Sequence, residues 1–138
     1  MPLNPYAEAA RRAIAANLPE LLPALREQED GSLLVELQSP SGRQFWLSTS
    51  GNEITVGFDL HHRHFGSPLD PDAEDDVAQA GAYIRNLMRG RYRIAIWKRG
   101  ERLVMSETLE GDSVPPVASR SGVERRLLRG CSVELYGW

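Results

Sequence analysis

The chain has 138 residues, of which 41% are hydrophobic and 25% are charged, and its formal net charge is −3. This length and composition predict one soluble globular domain over residues 1–138, large enough to fold without a metal or a disulfide. No apolar run reaches the roughly 18 residues of a membrane-spanning helix, and the N-terminus lacks the features of a secretory signal. Cys131 is the single cysteine, so no internal disulfide can form. We therefore expect a cytoplasmic protein that binds no membrane.

Charge is distributed unevenly along the chain. Residues 1–60 contain 4 basic and 8 acidic side chains, residues 61–84 contain 1 and 5, and residues 85–138 contain 11 and 6. The basic part has no glycine-rich or aromatic-interleaved basic block of the kind that follows a nucleic-acid backbone. We therefore expect no nucleic-acid partner.

The first predicted elements are helical. Apolar residues recur every three or four positions near the N-terminus, which places them on one helical stripe: Tyr6, Ala10, Ile14, Leu18, Leu21 and Leu25. Pro19 and Pro23 interrupt this stripe, because proline lacks an amide hydrogen and crowds the preceding turn. The pattern predicts a helix over 5–18, a break, and a second short helix that ends near residue 28.

Strands with short turns follow the helices. Alternating apolar residues predict strands at Leu33–Gln38, Arg43–Ser48 and Glu53–Leu60. Later come a helix that Asp70 caps, with Pro71 at its first position and Gly90 at its end, and a hairpin about Arg99-Gly100. The remaining predictions are a loop over Glu110–Gly122, a segment Val123–Arg129 that fits either a helix or a strand, and a last strand at Cys131–Tyr136. This order predicts the α+β class, with an antiparallel sheet of about five to six strands and helices packed on one face.

All three histidines stand together in the stretch ITVGFDLHHRHFG. If the third strand continues past Leu60, its two-residue period places His62 and His64 on the face of Phe58, with His61 on the opposite face. Such a pair could chelate a metal. A catalytic zinc site takes three protein ligands, so a carboxylate such as Asp59 or Asp70 would have to complete it. A small metal-dependent hydrolase or metal-binding enzyme is therefore the alternative function.

Other catalytic arrangements are missing from the sequence. A histidine can act as a general base only beside a suitable partner and nucleophile, and Cys131 lies in an apolar predicted strand. The chain contains neither a nucleophile-elbow motif nor a phosphate-binding glycine loop. We therefore expect no catalytic residue, no cofactor and no metal. The histidines then either cap the end of the sheet or belong to a surface that recognises another protein.

The acidic run SPLDPDAEDD and one tryptophan complete the set of candidate binding residues. Carboxylates at the start of a helix favour the positive end of its dipole, and they also form a negative patch that would attract a basic partner. Trp97 lies on the strand face of Arg91 and Arg93, and tryptophan is common at interface hot spots. The expected partner-binding residues are His62, His64, Asp70, Asp72, Asp75, Asp76 and Trp97.

The segment ITVGFDLHHRHF resembles a pattern of valine-x-phenylalanine followed by His-x-His-Phe. That pattern occurs in small bacterial immunity-type proteins found near polymorphic or contact-dependent toxins. The continuation AQAGAYIRNLMRG and YRIAIWKRGERLV is similar as well, so the resemblance covers residues 54–109. Its matching positions are Phe58, His62, His64 and Phe65, whereas His61 and Arg63 lie at variable places. The resemblance implies a non-enzymatic cytoplasmic protein that binds and neutralises a cognate toxin. The sequence leaves the oligomeric state undetermined.

Overall fold

The computed structural model describes residues 2–138, and these divide into two compact units. The first unit ends at Arg85, and the second runs from Asn86 to Trp138. A five-stranded and a three-stranded antiparallel sheet account for the strands. The α+β class and the five-stranded antiparallel sheet are confirmed. That the whole chain is one domain stays a prediction.

The elements of the first unit follow one another closely. They are α1 (Pro5–Asn17), a 3-10 helix (Pro19–Ala24), β1 (Leu25–Glu27), β2 (Leu33–Gln38), β3 (Gln44–Ser50), β4 (Glu53–Phe58), β5 (His61–Phe65) and α2 (Ala73–Met88), whose last residues belong to the second unit. The second unit contains β6 (Tyr92–Arg99), β7 (Arg102–Glu110), a 3-10 helix (Val117–Ser119), α3 (Gly122–Leu127) and β8 (Ser132–Tyr136).

Helix α1 begins and ends as its sequence predicts. The Asn4 side chain accepts a hydrogen bond from the Ala7 amide at 2.8 Å, which satisfies one of the free amides of the first turn. Asn17 is the last helical residue, two positions before Pro19. The second predicted helix is wrong beyond Ala24, because the chain becomes extended there and β1 pairs with β2.

The first sheet is a simple meander in the order β1-β2-β3-β4-β5, with every neighbouring pair antiparallel. One face is apolar and buried, as Val35, Leu47 and Val56 show in three adjacent strands. On this face Phe65 of β5 contacts Tyr83 of α2, with ring centroids 5.7 Å apart. The opposite face, which we call the open face, bears most of the exposed polar side chains of the sheet.

The third predicted strand does not continue past Leu60. Strand β4 ends at Phe58, and the chain turns through Asp59, which has a φ of 55°. The Asp59 carboxylate accepts a hydrogen bond from Arg43 at 2.5 Å, which holds this turn. The chain then returns as β5, with His61 opposite Phe58. A two-residue turn without glycine therefore converts one long strand into a hairpin.

The predicted N-cap of the second helix is also wrong. Helix α2 begins at Ala73, and Asp72 caps it by accepting a hydrogen bond from the Asp75 amide at 3.1 Å. Asp70 lies outside the helix, in the exposed loop after β5. The predicted end is confirmed, since Gly90 follows the last turn with a φ of 75°.

The second unit forms a three-stranded sheet in the order β7-β6-β8. The hairpin about Arg99-Gly100 is confirmed. The ambiguous segment forms the short helix α3, and the Ser121 side chain caps it by accepting from the Glu124 amide at 3.2 Å. Cys131 precedes the last strand instead of lying in it.

Candidate functional site

Strand β5 is the outermost strand at one end of the five-stranded sheet. His62, Arg63 and His64 are exposed on it, and Phe65 is buried at its end. We call these three exposed side chains the β5 edge. The structure therefore brings the two predicted histidines to the surface of the sheet and leaves His61 half-buried.

His62 and His64 share a face of the sheet, but it is not the face of Phe58. In the antiparallel register His62 lies opposite Gly57, and His64 lies opposite Thr55. The sequence-based pairing of the two histidines is thus confirmed, and its assignment to the apolar face is wrong. The reversal of the chain at the turn accounts for the change, because opposite residues of neighbouring strands share a face.

The two imidazoles form a small polar cluster with side chains of β4. Their ring centroids are 5.1 Å apart at an interplanar angle of 79°. The Nδ1 atom of His64 lies 2.9 Å from the Thr55 hydroxyl and 3.1 Å from a carboxylate oxygen of Glu53. These contacts fix the orientation of His64, while 52% of its side chain stays exposed.

The metal hypothesis lacks a ligand set in the part of the chain that the structure describes. Within residues 2–138 no group of three or more His, Cys, Asp or Glu side chains is placed to hold a metal ion. Asp59, one of the suggested third ligands, is paired with Arg43 in the turn. Asp59 is therefore occupied in the turn.

Trp46 is a surface residue that the sequence-based reasoning did not select. It lies opposite Gly57, which in turn lies opposite His62, so the three form one row across the open face. A Cβ atom built on Gly57 would lie only 1.9–2.3 Å from atoms of the Trp46 indole. The indole thus covers the glycine backbone and is half-buried beside the histidines. The glycine inside the alternating strand Glu53–Phe58 is the signal that could have indicated it.

The acidic run is divided by the structure. Asp70, Asp72 and Asp75 are exposed, and Asp75 accepts a hydrogen bond from Gln79 at 2.6 Å. Within residues 2–138, neither these three carboxylates nor Glu74 forms an ion pair. This surface is therefore negative and uncompensated.

Asp76 is not part of that negative surface. It is only 4% exposed, and its Oδ2 atom accepts a hydrogen bond from the Tyr6 hydroxyl at 2.5 Å. Burial and this hydrogen bond to a carboxylate raise the pKa of Tyr6 well above its usual value. The expectation of an exposed Asp76 is wrong, because its position on α2 faces α1.

Trp97 is likewise buried, with 4% of its surface exposed. Its indole nitrogen donates to Glu107 at 3.3 Å, and the Arg120 guanidinium lies 5.1 Å from its ring centroid. Arg120 also binds both carboxylate oxygens of Glu107, at 2.6 and 2.9 Å. The expectation of an exposed anchor at Trp97 is therefore wrong, since the residue serves the packing of the second unit.

Comparisons with known proteins provide no relative for this chain. No protein-family model matches it, and neither does any curated protein or solved structure. Among the described residues, no helix is long and apolar enough to cross a membrane.

Proposed function

We propose that the chain is a non-enzymatic cytoplasmic protein-binding module of the immunity type, which neutralises a cognate toxin by direct binding. The β5 edge is the observation on which this proposal depends. His62 and His64 are exposed on the open face of the last strand, on the same side as the half-buried Trp46, and Arg63 is exposed on the opposite face of that strand. A hydrophobic centre with a polar surround is typical of protein interfaces.

The aromatic and histidine positions of the immunity-type motif lie in different environments. Phe58 and Phe65 are buried at 1% and 6% exposure, so they stabilise the β4–β5 hairpin. His62 and His64 are exposed on the same hairpin. The aromatic positions of the motif therefore explain the fold, and the histidine positions remain available to a partner.

The carboxylates that follow β5 extend the proposed surface. Asp70, Asp72 and Asp75 are exposed and follow the end of β5 by five to ten positions. Uncompensated carboxylates attract a basic partner and speed its association. We therefore expect the partner surface to be mainly basic, with an apolar part that contacts Trp46.

The proposal implies that a toxin is encoded beside this chain, and that toxin is the partner to test. The two proteins are expressed together in a bacterial host, and survival of the host and the dissociation constant of the purified complex are measured. The wild-type chain should protect the host and bind the toxin. His62→Ala/His64→Ala should weaken binding by roughly 10-fold or more, as is typical when hot-spot side chains are removed.

The matched control is Glu101→Ala/Arg102→Ala, which removes two exposed polar side chains at the hairpin of the second unit. This variant should bind like the wild type. Absence of any complex with the wild-type chain would refute the immunity function. Equal binding by the histidine variant would remove the histidines from the interface.

A further inference from the structure

The arginines of the first unit differ in what they contact. Arg11 and Arg12 pair with Glu8, at 2.7 and 3.7 Å, and Arg43 pairs with Asp59 at 2.5 Å. The two remaining partnered arginines are Arg26, which pairs with Glu36, and Arg85, which donates to the Asn17 carbonyl. Arg63 is the exception, because within residues 2–138 it has neither an ion pair nor a hydrogen bond.

Arg63 is nevertheless held in place. Its guanidinium carbon lies 5.2 Å from the ring centroid of Phe65 and 5.2 Å from that of Tyr83. Phe65 is 6% exposed and Tyr83 is 4% exposed, so two buried aromatic rings lie beneath the exposed guanidinium. A guanidinium on an aromatic face keeps its N–H donors available at its rim. Because the stacked side chain is already restricted, it loses less conformational entropy when it binds.

The surroundings of Arg63 restrict the anion that it can take. The first unit contains 6 basic and 13 acidic side chains, a net charge of −7. Such a field repels a polyanion such as a nucleic acid, whose affinity depends on several basic contacts. A single carboxylate, by contrast, meets the planar guanidinium with two parallel hydrogen bonds. A side-chain carboxylate of a protein is therefore the ligand that fits this position.

We propose that Arg63, which is exposed on the face of β5 opposite to His62 and His64, binds a carboxylate of a protein partner that contacts both faces of this outermost strand. The inference depends on the proposed function, since the carboxylate belongs to the partner that this surface recognises. The inference adds a specific requirement to the proposed function. The mainly basic surface of the partner must contain an aspartate or glutamate that faces Arg63. The stacked Phe65 and Tyr83 act as positioning residues for the guanidinium.

The test uses the full chain and the neighbouring toxin, with dissociation constants from calorimetry. Arg63→Met keeps the apolar cover over the two rings and removes the charge and the donors. Arg63→Lys keeps the charge and removes the planar donor pair. We expect Arg63→Met to weaken binding by roughly 10- to 100-fold and Arg63→Lys by a smaller factor. Arg11→Met, which removes an arginine already paired with Glu8 on α1, is the matched control and should bind like the wild type.

A second arm identifies the carboxylate. Each exposed aspartate and glutamate of the toxin is replaced by alanine, and one replacement should be non-additive with Arg63→Met in a double-mutant cycle. Melting temperatures of all variants separate a binding role from a structural one. If the wild type binds and Arg63→Met binds equally well, the inference is overturned and the proposed function stands. If the wild type does not bind the toxin, both are overturned.

Discussion

Trp46 owes its position on the open face to the missing side chain of Gly57. The indole occupies the space that any Cβ atom at position 57 would need. An aromatic side chain that covers a glycine on a neighbouring strand compensates for the poor packing of that glycine. Under the proposed function, recognition and stability are coupled at this pair of residues, because the ring proposed to face a partner also covers the backbone beneath it.

This pair gives a prediction on stability. Gly57→Ala should lower the free energy of unfolding by about 1–3 kcal/mol, because the added methyl group forces the indole away from the strand. Chemical denaturation measures the change. Gly137→Ala is the matched control, since the nearest atom to its added Cβ is 3.8 Å away, and it should unfold like the wild type. Combining Gly57→Ala with Trp46→Ala should cost less than the sum of the two; simple additivity would contradict the contact.

Helices α1 and α2 are joined by a buried hydrogen bond. Tyr6 of α1 donates to Asp76 of α2, and both side chains are more than nine-tenths buried. A buried carboxylate that loses a donor keeps its desolvation penalty without the compensating bond. This contact therefore contributes to the orientation of α2, from which Tyr83 reaches Phe65 and the β5 edge.

The Tyr6–Asp76 bond predicts a specific response to alkaline pH. The pKa of Tyr6 is raised in the folded state, so the unfolded chain loses this proton first, near pH 10. The stabilisation is fully present below about pH 10 and decreases above it, by at most about 1.4 kcal/mol per pH unit for one proton. Tyr6→Phe should lower the free energy of unfolding by about 1–3 kcal/mol at neutral pH. It should also flatten the alkaline slope between about pH 10 and 11.5. An unchanged slope would show that Tyr6 ionises alike in both states.

At the scale of the whole molecule, charge divides along the boundary between the two units. The first unit has a net charge of −7, and the second has 10 basic and 6 acidic side chains, a net charge of +4. The overall charge of −3 conceals this contrast. A basic partner is therefore attracted to the first unit by more than the total charge indicates.

The charge division predicts salt-dependent association. The association rate with the proposed toxin partner, measured by stopped flow, should fall steeply with ionic strength as the charges are screened. Asp70→Lys/Asp75→Lys should slow association at low salt and reduce its salt dependence. These two positions are chosen because Asp72 caps α2 and Asp76 is buried. The control Glu101→Lys/Glu110→Lys reverses two exposed charges of the second unit, and an equal effect from it would contradict a specific acidic surface.

Local sequence patterns predicted most of the secondary-structure elements, but they predicted less well which side chains are exposed. Alternation and proline or glycine signals located α1, the strands β2, β3, β4 and β8, the β6–β7 hairpin and the end of α2, but not β1 or β5, because these signals depend only on neighbours in the sequence. The turn at Asp59 was missed because an aspartate, not a glycine, adopts the positive φ. The burial of Asp76 and Trp97 depends on Tyr6 and Arg120, which lie far away in the chain. The exposure of an individual side chain therefore could not be predicted without the tertiary structure.

The different environments of two tryptophans provide an optical reporter of binding. Trp46 is half-buried on the open face. Trp97 is buried, with the Arg120 guanidinium over its ring and a hydrogen bond from its indole nitrogen to Glu107. Covering the open face would remove water from the Trp46 indole and move its fluorescence emission to shorter wavelength, while Trp97 would emit as before. Complex formation should therefore be visible in the unlabelled protein, and the spectral change should disappear in Trp46→Phe.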